Sequence, residues 1–416
     1  MAHSPRLLMV LPQMPQDPAS GAARSMRTVC EMLAGAGWDV RVLATTATER
    51  ATIRTPTGVA SYLEGMGIQV KVNGEVGARV EFWFTDRKVQ YHLLDAQDHY
   101  GWQEFHAQFN DLFDAALQEF LPDILLSYGG RFQDQWRCQR ARELGVKTVF
   151  ALRNGAYQTP GFFDHFDGVL TPSSFLTNLY RSSIGLESSP LPVPLNLEDV
   201  VAEERSAYFG FVTMINPSPE KGLMVMARIA EEMGRRRPDI PVLIVEARGT
   251  VDHLVQAGLL GGFDLRRHKS IVGIPSVAQP KDFYALTRML VAPSLWQEPA
   301  GRVAAEALLN GIPPIVSDRG GLGEVCNGAG FVLHIPEEFT PKTRDPLPAE
   351  AVEPWLELIV RLWDDQGFYE AEAARALAAA DMYRPENLTA RYLDYFMRVW
   401  SVSYRLAADS ELQAVG

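Results

Sequence analysis

Short apolar runs alternate with helical residue patterns along most of this chain, and this alternation constrains the fold more than any other feature. The runs at residues 7–12 and 123–127 are each followed by a glycine-containing or polar turn and then by a pattern with helical periodicity, and the run at residues 147–152 ends in Arg-Asn-Gly. Strand, turn, helix and strand in this order form βαβ units, which build parallel sheets covered by helices on both faces. The chain is therefore predicted to be an α/β protein with doubly wound sheets, which bind ligands beyond the carboxyl ends of their strands.

The length of 416 residues predicts two domains of ordinary size. Residues 190–196 (PLPVPLN) form a stiff extended segment, and the residues that follow them up to 206 are charged and polar. Such a segment is typical of a linker. We predict an N-terminal domain at residues 1–197 and a C-terminal domain at residues 198–385.

Composition excludes several classes of function. The net charge of −12, from 39 basic and 51 acidic residues, argues against general nucleic-acid binding, which needs a basic face. The three cysteines have no CxxC spacing and are expected to be reduced thiols. The eight histidines form no metal-ligand pair at helical spacing, and neither a DxD between strands nor HExxH occurs, so no metal site is expected. No signal-peptide pattern and no run of roughly 20 apolar residues is present, which makes the cytoplasm the expected location and a transmembrane segment unexpected.

Two acidic residues stand eight positions apart around the start of one predicted helix. Glu298 lies just before this helix, and Glu306 lies about two turns later at roughly 3.6 residues per turn. Both carboxylates can therefore point toward the same end and side of one cavity. The backbone amides of Ala300, Gly301 and Arg302 fall at the helix N-terminus, where unpaired N–H groups and the helix dipole attract phosphate.

Polar or glycine-rich turns also follow other predicted strands of the second half. Residues 318–321 (Asp-Arg-Gly-Gly) form such a turn after the next strand, which indicates a ligand at the carboxyl edge of the sheet. Lys221 lies near a helix N-terminus at the same kind of edge, so its ammonium group and nearby amides could share one diphosphate. The alternative for Lys221 is a solvated lysine at a helix start. Arg248 also follows a strand, where it either contacts phosphate or faces solvent.

The first half of the chain shows the same arrangement. Gly21 opens the first helix, with its amide directed to the sheet edge, although a small-residue turn needed only for packing explains it equally well. Three residues are candidates because they follow predicted strands: Tyr128, Asn154 and Ser173.

The stretch E-P-A-G-R-V-A-A-E-A at residues 298–307, followed by S-D-R-G-G-L-G-E at residues 317–324, resembles the E-x7-E region of retaining, nucleotide-sugar-dependent GT-B glycosyltransferases, especially family 4. The resemblance is strong over residues 208–331 and loose over residues 7–185. It implies two Rossmann-like doubly wound domains that face each other across a cleft, with the helix at residues 386–416 crossing back onto the N-terminal domain.

The implied activity is transfer of a hexosyl or related group from a nucleoside diphosphate sugar, with retention of anomeric configuration. The donor would bind in the cleft without a metal or any other cofactor. The acceptor would be a carbohydrate, a lipid-linked molecule or a small molecule. The nucleotide base, the donor sugar, the acceptor and the oligomeric state are left open.

The resemblance also assigns roles to individual residues. Glu306 would bind the ribose hydroxyls, and Glu298 would hold the sugar hydroxyls together with the amides of Ala300 and Gly301. Residues 272–277 match the segment in which relatives hold the base, which places Ile274 beside it. The remaining residues with an implied donor-binding role are Gly21, Asn216, Lys221, Arg248, Arg302 and Val303. Tyr128, Asn154 and Ser173 become acceptor-side candidates.

One departure from the family pattern concerns the diphosphate. Relatives use an arginine together with the lysine, but the arginine is replaced within Met-Ile-Asn at residues 214–216. Phosphate binding would then rest on Lys221 with Asn216 or Thr213, or be weaker.

The second departure is Arg153, which stands where many relatives carry a histidine at the end of the strand at residues 147–152. A guanidinium group cannot accept a proton at neutral pH but can hold a phosphate or carboxylate bidentately. The alternative is an arginine paired with a local carboxylate such as Asp164 or Asp167.

We therefore expect catalytic contributions from Glu298, Lys221 and Arg153. Two other functions are left open. One is a different enzyme of GT-B shape, such as a phosphorylase or a nucleotide-sugar epimerase, which would turn over with phosphate or without an acceptor. The other is a non-catalytic nucleotide-sugar binding protein, which would bind donor without hydrolysis or transfer.

Overall fold

The computed structural model describes residues 4–17, 20–48, 53, 55–74, 79–96, 103–275, 277, 279–344 and 347–414. The other positions of the predicted domains, including residue 276 of the predicted base segment and residues 415–416 of the predicted last helix, lie outside the described residues. The chain divides into two compact units. The first contains residues 1–172, 177–194 and 385–416, and the second contains residues 173–176 and 195–384.

The first unit is built on a largely parallel sheet. Within the described residues its strand order is β3-β4-β5-β2-β1-β6-β7-β8-β9. Only the pairs β3–β4 and β4–β5 are antiparallel. The strands are β1 (Arg6–Leu11), β2 (Asp39–Thr45), β3 (Lys71–Gly74), β4 (Val80–Asp86), β5 (Val89–Leu94), β6 (Ile124–Ser127), β7 (Lys147–Ala151), β8 (Gly168–Thr171) and β9 (Ser189–Pro190). The helices that follow in the chain are α1 (Gly21–Gly35), α2 (Pro56–Gly65), α3 (Gln103–Phe120), α4 (Phe132–Glu143) and α5 (Ser174–Ile184).

Both faces of this sheet are buried, as the predicted βαβ units require. Leu7, Met9 and Leu11 point to a core that includes residues of α1, whereas Leu8 and Val10 point to a second core that includes residues of α3 and α4. Successive side chains of a strand alternate between faces, so a strand covered on both sides reads as one continuous apolar run. This explains why residues 7–11 show no polar alternation.

The hairpin between β4 and β5 closes through a strained two-residue turn. Asp86 pairs with Val89, and the intervening Arg87 and Lys88 have φ angles of 45° and 67°. A turn with positive φ at both central residues favours glycine or asparagine, since other L-residues are strained in this region. We therefore expect Lys88→Gly to raise the free energy of unfolding by up to about 1 kcal/mol.

Chemical denaturation of Lys88→Gly measures this effect. Lys71→Gly is the matched control, because this exposed lysine lies in the extended strand β3 and glycine there should lower stability. Equal losses for the two variants would contradict the strain at Lys88.

The second unit has a fully parallel sheet with strand order β12-β11-β10-β13-β14-β15. This is the order of the Rossmann fold, 3-2-1-4-5-6. The strands are β10 (Phe211–Ile215), β11 (Val242–Val245), β12 (Ile271–Ile274), β13 (Thr287–Ala292), β14 (Pro314–Ser317) and β15 (Phe331–Leu333). The helices are α6 (Leu197–Val200), α7 (Leu223–Arg236), α8 (Val251–Leu260), α9 (Lys281–Tyr284), α10 (Arg302–Leu309), α11 (Leu322–Val325), α12 (Glu353–Asp364) and α13 (Gln366–Ala379).

The last helix, α14 (Pro385–Ala414), belongs to the first unit. Leu388, Tyr392, Tyr395 and Phe396 are buried in the core that also contains α1 residues. The aromatic stripe of this helix is therefore a packing surface. The Tyr392 hydroxyl also donates to the Pro192 carbonyl at 3.1 Å.

The predicted fold class is confirmed, since both units are α/β structures with parallel sheets. The apolar run at residues 68–72 forms a strand only from Lys71 onward, in β3. No helix of the described residues is long and apolar enough to cross a membrane.

Candidate functional site

The strand order of the second unit creates a crevice between β10 and β13. From β10 the chain first adds strands on one side of the sheet and then, at β13, on the other. Loops that leave the two central strands in opposite directions leave an opening at their carboxyl ends, and ligands bind there in open α/β sheets. Asn216 and Lys221 follow β10, and Ser294 and Glu298 follow β13. The predicted donor-binding residues therefore meet at this switch point.

Glu298 is the centre of the first cluster at this edge. Its side chain is buried, with 4% of the residue exposed. Its Oε1 accepts from Lys221 Nζ at 2.5 Å and from Ser294 Oγ at 2.6 Å. The Ser294 carbonyl in turn accepts from Ser317 Oγ at 2.7 Å, which ties the loop after β13 to the end of β14. Both of these hydrogen bonds are to Oε1, and no described residue donates to Oε2 of Glu298.

Lys221 is therefore not an isolated surface lysine. About one third of its side chain is exposed, and the ammonium group bridges to a buried carboxylate. A buried carboxylate needs a charged partner, because leaving it unpaired is costly. The alternative of a solvated helix-start lysine is wrong for this geometry.

Glu306, which lies within α10, is the centre of a second cluster. It is 3% exposed, and both of its carboxylate oxygens accept hydrogen bonds. Arg302 Nε donates to Oε1 at 2.6 Å, and the Tyr284 hydroxyl donates to Oε2 at 2.9 Å. The two motif acids thus share one pattern, in which a cation and a hydroxyl group hold each carboxylate.

The loop after β10 is shaped by Asn216. This residue has a φ angle of 59°, and its Oδ1 accepts from the Gly249 amide at 2.8 Å. Its Nδ2 group has no acceptor among the described residues and is available to a phosphate oxygen. Thr213, the other residue considered in place of the missing arginine, is fully buried, and its hydroxyl bonds to Thr287 at 2.8 Å. The assignment of Thr213 is therefore wrong.

The turn at residues 318–321 packs directly against the backbone of Glu298. The Gly321 amide donates to the Glu298 carbonyl at 2.7 Å. Gly320 has a φ angle of 65°, and a Cβ atom on it would overlap the backbone nitrogen and oxygen of Glu298. Gly301, the N-cap of α10, also has a left-handed φ of 100°. Glycine is therefore required at position 320, where this turn packs against Glu298.

The remaining donor-side candidates lie around this centre. Ala300 is buried, while Val303 is half-buried in the first turn of α10. Arg248 is exposed in the loop after β11, and Ile274 is half-buried at the end of the edge strand β12. These positions fit the sequence-based assignment by place, and their roles stay predictions.

The first unit has its own crevice at the corresponding switch point, between β1 and β6. A cavity of about 490 Å³ lies there, and this volume falls in the range of small-molecule sites. Its lining comes from the loops after β1, β2 and β6 and from one later loop: Pro12, Gln13, Asp17, Ala47, Thr48, Tyr128, Gly129, Gly130, Arg131, Asp134 and Tyr157.

Asp134 is one of two buried acids that line this cavity, and the other is Asp17. The Asp134 carboxylate accepts from the Arg131 amide at 3.0 Å and from Arg137 Nη1 at 3.1 Å. Burial raises the pKa of Asp134 above its ordinary value, and the neighbouring Arg137 opposes this shift. The glycine at position 130 lets the Tyr157 ring pack onto the backbone, where a Cβ atom would overlap the ring. The cavity therefore offers hydroxyl, amide and carboxylate groups beside two tyrosines.

The three acceptor-side candidates divide between the two units. Tyr128 lines the cavity of the first unit. Asn154 caps its own loop, with Oδ1 accepting from the Ala156 amide at 2.9 Å. Ser173 belongs to the second unit, where its hydroxyl is buried and donates to the Pro299 carbonyl. Gly21 lies exposed at the start of α1, after the N-cap residue Ser20.

Arg153 has an unusual environment within the first unit. Its Nη2 lies 3.5 Å from Met26 Sδ, and its Nε and Nη1 atoms are buried without a hydrogen-bond partner. It also lies beside the Tyr392 hydroxyl, where burial raises the tyrosine pKa and the guanidinium opposes the rise.

The proposed pairing of Arg153 with Asp164 or Asp167 is wrong. The Asp167 carboxylate accepts from the Thr148 amide at 2.9 Å and from Lys147 at 3.4 Å. No described carboxylate pairs with Arg153. Its predicted catalytic role is left without a contact that supports or opposes it.

With this geometry in place, comparison with known proteins finds a family match within the second unit. Residues 203–338 match the family model described as Glycosyl transferases group 1. The matched segment contains Lys221, both motif acids and the Asp-Arg-Gly-Gly turn.

Similarity extends over the rest of the chain at the level of structure. Spore coat protein SA of Bacillus subtilis (strain 168) is 27% identical over 146 residues, which is 31% of this chain and 37% of that protein. The match thus spans little more than a third of this curated relative. A glycosyltransferase from Rickettsia africae ESF-5 superposes with a TM-score of 0.67 at 14% identity, covering 96% of this chain and 99% of the other. Anabaena HepE, solved in complex with UDP-glucose, superposes with a TM-score of 0.65 at 13% identity, covering 94% and 99%.

The structural matches show the fold of GT-B glycosyltransferases, and the family match covers residues 203–338. Two residues of the site were not predicted from the sequence, namely Ser294 and Tyr284, whose hydroxyls hold the two acids. Ser294 lies two residues after the end of β13, so its position after a strand was a usable signal. No such signal marked Tyr284 in the sequence, because the residue that it contacts lies in a different helix.

Proposed function

We propose that this protein is a retaining, family 4-type glycosyltransferase that moves a hexosyl or related group from a nucleoside diphosphate sugar to an acceptor. The reaction would require no metal ion. Among the described residues no group of three or more histidine, cysteine, aspartate or glutamate side chains is placed to hold one. The charge on the diphosphate would instead be met by protein groups.

The observation that carries the proposal is the Lys221–Glu298 pair at the switch point of the second sheet. Cleavage of a sugar–phosphate bond leaves negative charge on the diphosphate and positive charge on the anomeric carbon. Preorganised groups of opposite sign beside each stabilise the transition state. Lys221 would stabilise the charge on the phosphate, and Glu298 would stabilise the charge on the sugar. The Lys221 Nζ and Glu298 Oε1 atoms lie 2.5 Å apart.

Further donors complete the phosphate site. The amides of Gly301, Arg302 and Val303 stand at the N-terminus of α10, where the first N–H groups have no partner inside the helix. The Nδ2 group of Asn216 adds a neutral donor on the β10 side. Because Lys221 is already neutralised by Glu298, these uncharged donors carry much of the phosphate binding.

In the proposed reaction, the bond from the anomeric carbon to the phosphate oxygen breaks while the acceptor oxygen bonds to the same face of that carbon. The acceptor proton moves to the departing phosphate oxygen. No carboxylate nucleophile is needed for this front-side exchange. Glu298 Oε2 would accept from a sugar hydroxyl and stabilise the developing cation, and Glu306 would accept from the ribose.

The cavity of the first unit is the proposed acceptor site. Its tyrosines and its polar groups suit a hydroxyl-rich acceptor, since sugars bind through hydrogen bonds at their edges and apolar contact at their faces. Asp17 and Asp134 disfavour a strongly anionic group in the same space.

Lys221→Ala tests the phosphate role. We expect affinity for a nucleoside diphosphate to fall about 10- to 100-fold, because a charge-assisted hydrogen bond contributes about 1.5–3 kcal/mol. Affinity for the matching nucleoside should change little, since it has no phosphate. Titration calorimetry with UDP, GDP and ADP and with their nucleosides measures the difference.

Lys281→Ala is the matched control, because Lys281 is also a half-buried lysine at a helix start, in α9. Equal losses for diphosphate and nucleoside in Lys221→Ala would remove the phosphate role. Donor binding by the wild-type protein with no transfer to any saccharide acceptor would favour the non-catalytic binding protein.

A further inference from the structure

Tyr284 is a fully buried tyrosine whose hydroxyl reaches a charged group of the donor site. Its exposed fraction is 0%, and its hydroxyl donates to Glu306 Oε2 at 2.9 Å. The same hydroxyl lies 3.4 Å from the Val303 carbonyl in the first turn of α10. One phenol thus connects α9 to the helix that carries the acid.

The backbone around Tyr284 is fixed from several sides. Its amide donates to the Pro280 carbonyl at 3.1 Å, and its carbonyl accepts from Arg205 Nη1 at 3.2 Å. Its ring packs against Phe283 with a centroid distance of 4.6 Å. The phenol oxygen therefore has one position, and it determines where Glu306 Oε2 lies.

These contacts fix the plane of the Glu306 carboxylate group. Arg302 holds one oxygen and Tyr284 holds the other, so rotation about the last side-chain bond would break both hydrogen bonds. A carboxylate offers about four acceptor positions, so an oxygen that accepts from Tyr284 or Arg302 can also accept from a ligand hydroxyl. The direction of those remaining positions is set by the plane.

We propose that Tyr284 is the positioning residue of Glu306 and gives the donor site its selectivity for a ribonucleoside diphosphate over the 2′-deoxyribonucleoside diphosphate. This inference rests on the proposed function, in which Glu306 faces the ribose. A buried carboxylate aimed at two adjacent hydroxyls loses a partner when one hydroxyl is missing, and a site built for a hydroxyl rejects the analogue that lacks it.

The test compares paired ligands on Tyr284→Phe and on the wild-type protein. UDP, GDP and ADP are titrated beside their 2′-deoxy forms, and the ratio of the two affinities is taken for the base that binds best. We expect the wild-type protein to prefer the ribonucleotide by about tenfold or more. In Tyr284→Phe, affinity for the ribonucleotide should fall by about three- to tenfold while affinity for the 2′-deoxy form stays within about twofold, so the ratio approaches one.

Tyr383→Phe is the matched control. Tyr383 is also a buried tyrosine of the second unit, and its hydroxyl donates at 2.8 Å to the Val325 carbonyl rather than to a motif acid. This variant loses an equivalent buried hydrogen bond, so any loss of general stability appears in it, and its ribose ratio should stay at the wild-type value.

Three outcomes would overturn the inference. The first is a ratio of ribonucleotide to 2′-deoxyribonucleotide affinity near one in the wild-type protein, which is measured without any variant. Tyr284→Phe could weaken both ligands equally, which is a purely structural effect, or it could leave the wild-type ratio unchanged. If the wild-type protein binds none of the six nucleotides, the proposed function itself fails, and the inference fails with it.

Discussion

Glu298→Gln is expected to lower the rate of glycosyl transfer by about 10²- to 10³-fold, the loss typical of removing one preorganised electrostatic group. The substitution keeps the shape of the side chain and an oxygen that can accept from Ser294. It removes the negative charge that the proposed reaction places beside the anomeric carbon, where positive charge would develop. The loss should therefore fall on turnover, measured as product formed at saturating donor.

The same variant should bind a nucleoside diphosphate at least as tightly as the wild-type protein does. Lys221 is ion-paired to Glu298 at 2.5 Å, and a glutamine leaves its full charge for the phosphate. A fall in turnover with a rise in affinity is a signature that general unfolding cannot produce. Calorimetry with the nucleoside diphosphate alone measures the second half of this prediction.

Glu372→Gln is the control, because Glu372 is equally buried in the second unit and pairs with Arg375 away from the site. It should leave both turnover and affinity near the wild-type values. Turnover of Glu298→Gln within about threefold of wild type would remove Glu298 from the chemistry, since such a difference is under 1 kcal/mol.

The sequence predicted those parts of the fold and site that depend on local pattern. The alternation of apolar runs with helical patterns predicted parallel sheets, because parallel strands are buried on both faces and helices must cover them. The spacing of Glu298 and Glu306 placed both acids at one helix. Strand ends predicted Asn216 and Lys221 at the carboxyl edge, where both lie.

The sequence could not predict contacts that depend on how elements pack. Thr213 and Asn216 are both polar residues near the end of β10, but only the structure shows that Thr213 turns inward to Thr287. Tyr284 stands 22 positions before Glu306, and its hydroxyl reaches the acid only because the fold brings α9 and α10 together, although β13 separates them in the sequence. Side-chain periodicity predicts which face of an element is buried, but it does not predict which residue a given side chain contacts.

Arg153 illustrates the same limit for charge. A nearby acid in the sequence suggested a local ion pair, yet Asp167 is used by the Thr148 amide and by Lys147. Sequence proximity ranks partners poorly where backbone amides compete for the same carboxylate. The consequence is a guanidinium group next to Met26 and Tyr392, with two buried nitrogen atoms, Nε and Nη1, that have no acceptor within the described part of the chain.

Gly320→Ala is expected to cost about 3 kcal/mol of stability, the sum of about 1 kcal/mol for a left-handed φ and about 1–3 kcal/mol for overpacking. The new methyl group would overlap backbone atoms of Glu298, which cannot rotate away as a side chain can. For a unit of this size the melting temperature should fall by roughly 6–12 °C, at about 2–4 °C per kcal/mol. Differential scanning calorimetry measures the shift.

Gly328→Ala separates the two causes of this loss. Gly328 has a similar φ of 79°, in the same unit, but a Cβ atom on it would meet nothing within 4 Å. This control should lose only the conformational part, about 1 kcal/mol. Since the turn at Gly320 supports the backbone of Glu298, Gly320→Ala should also lose transfer activity at temperatures where it is still folded, and Gly328→Ala should not. Equal shifts in the two variants would mean that the Asp-Arg-Gly-Gly turn does not determine the position of the acid.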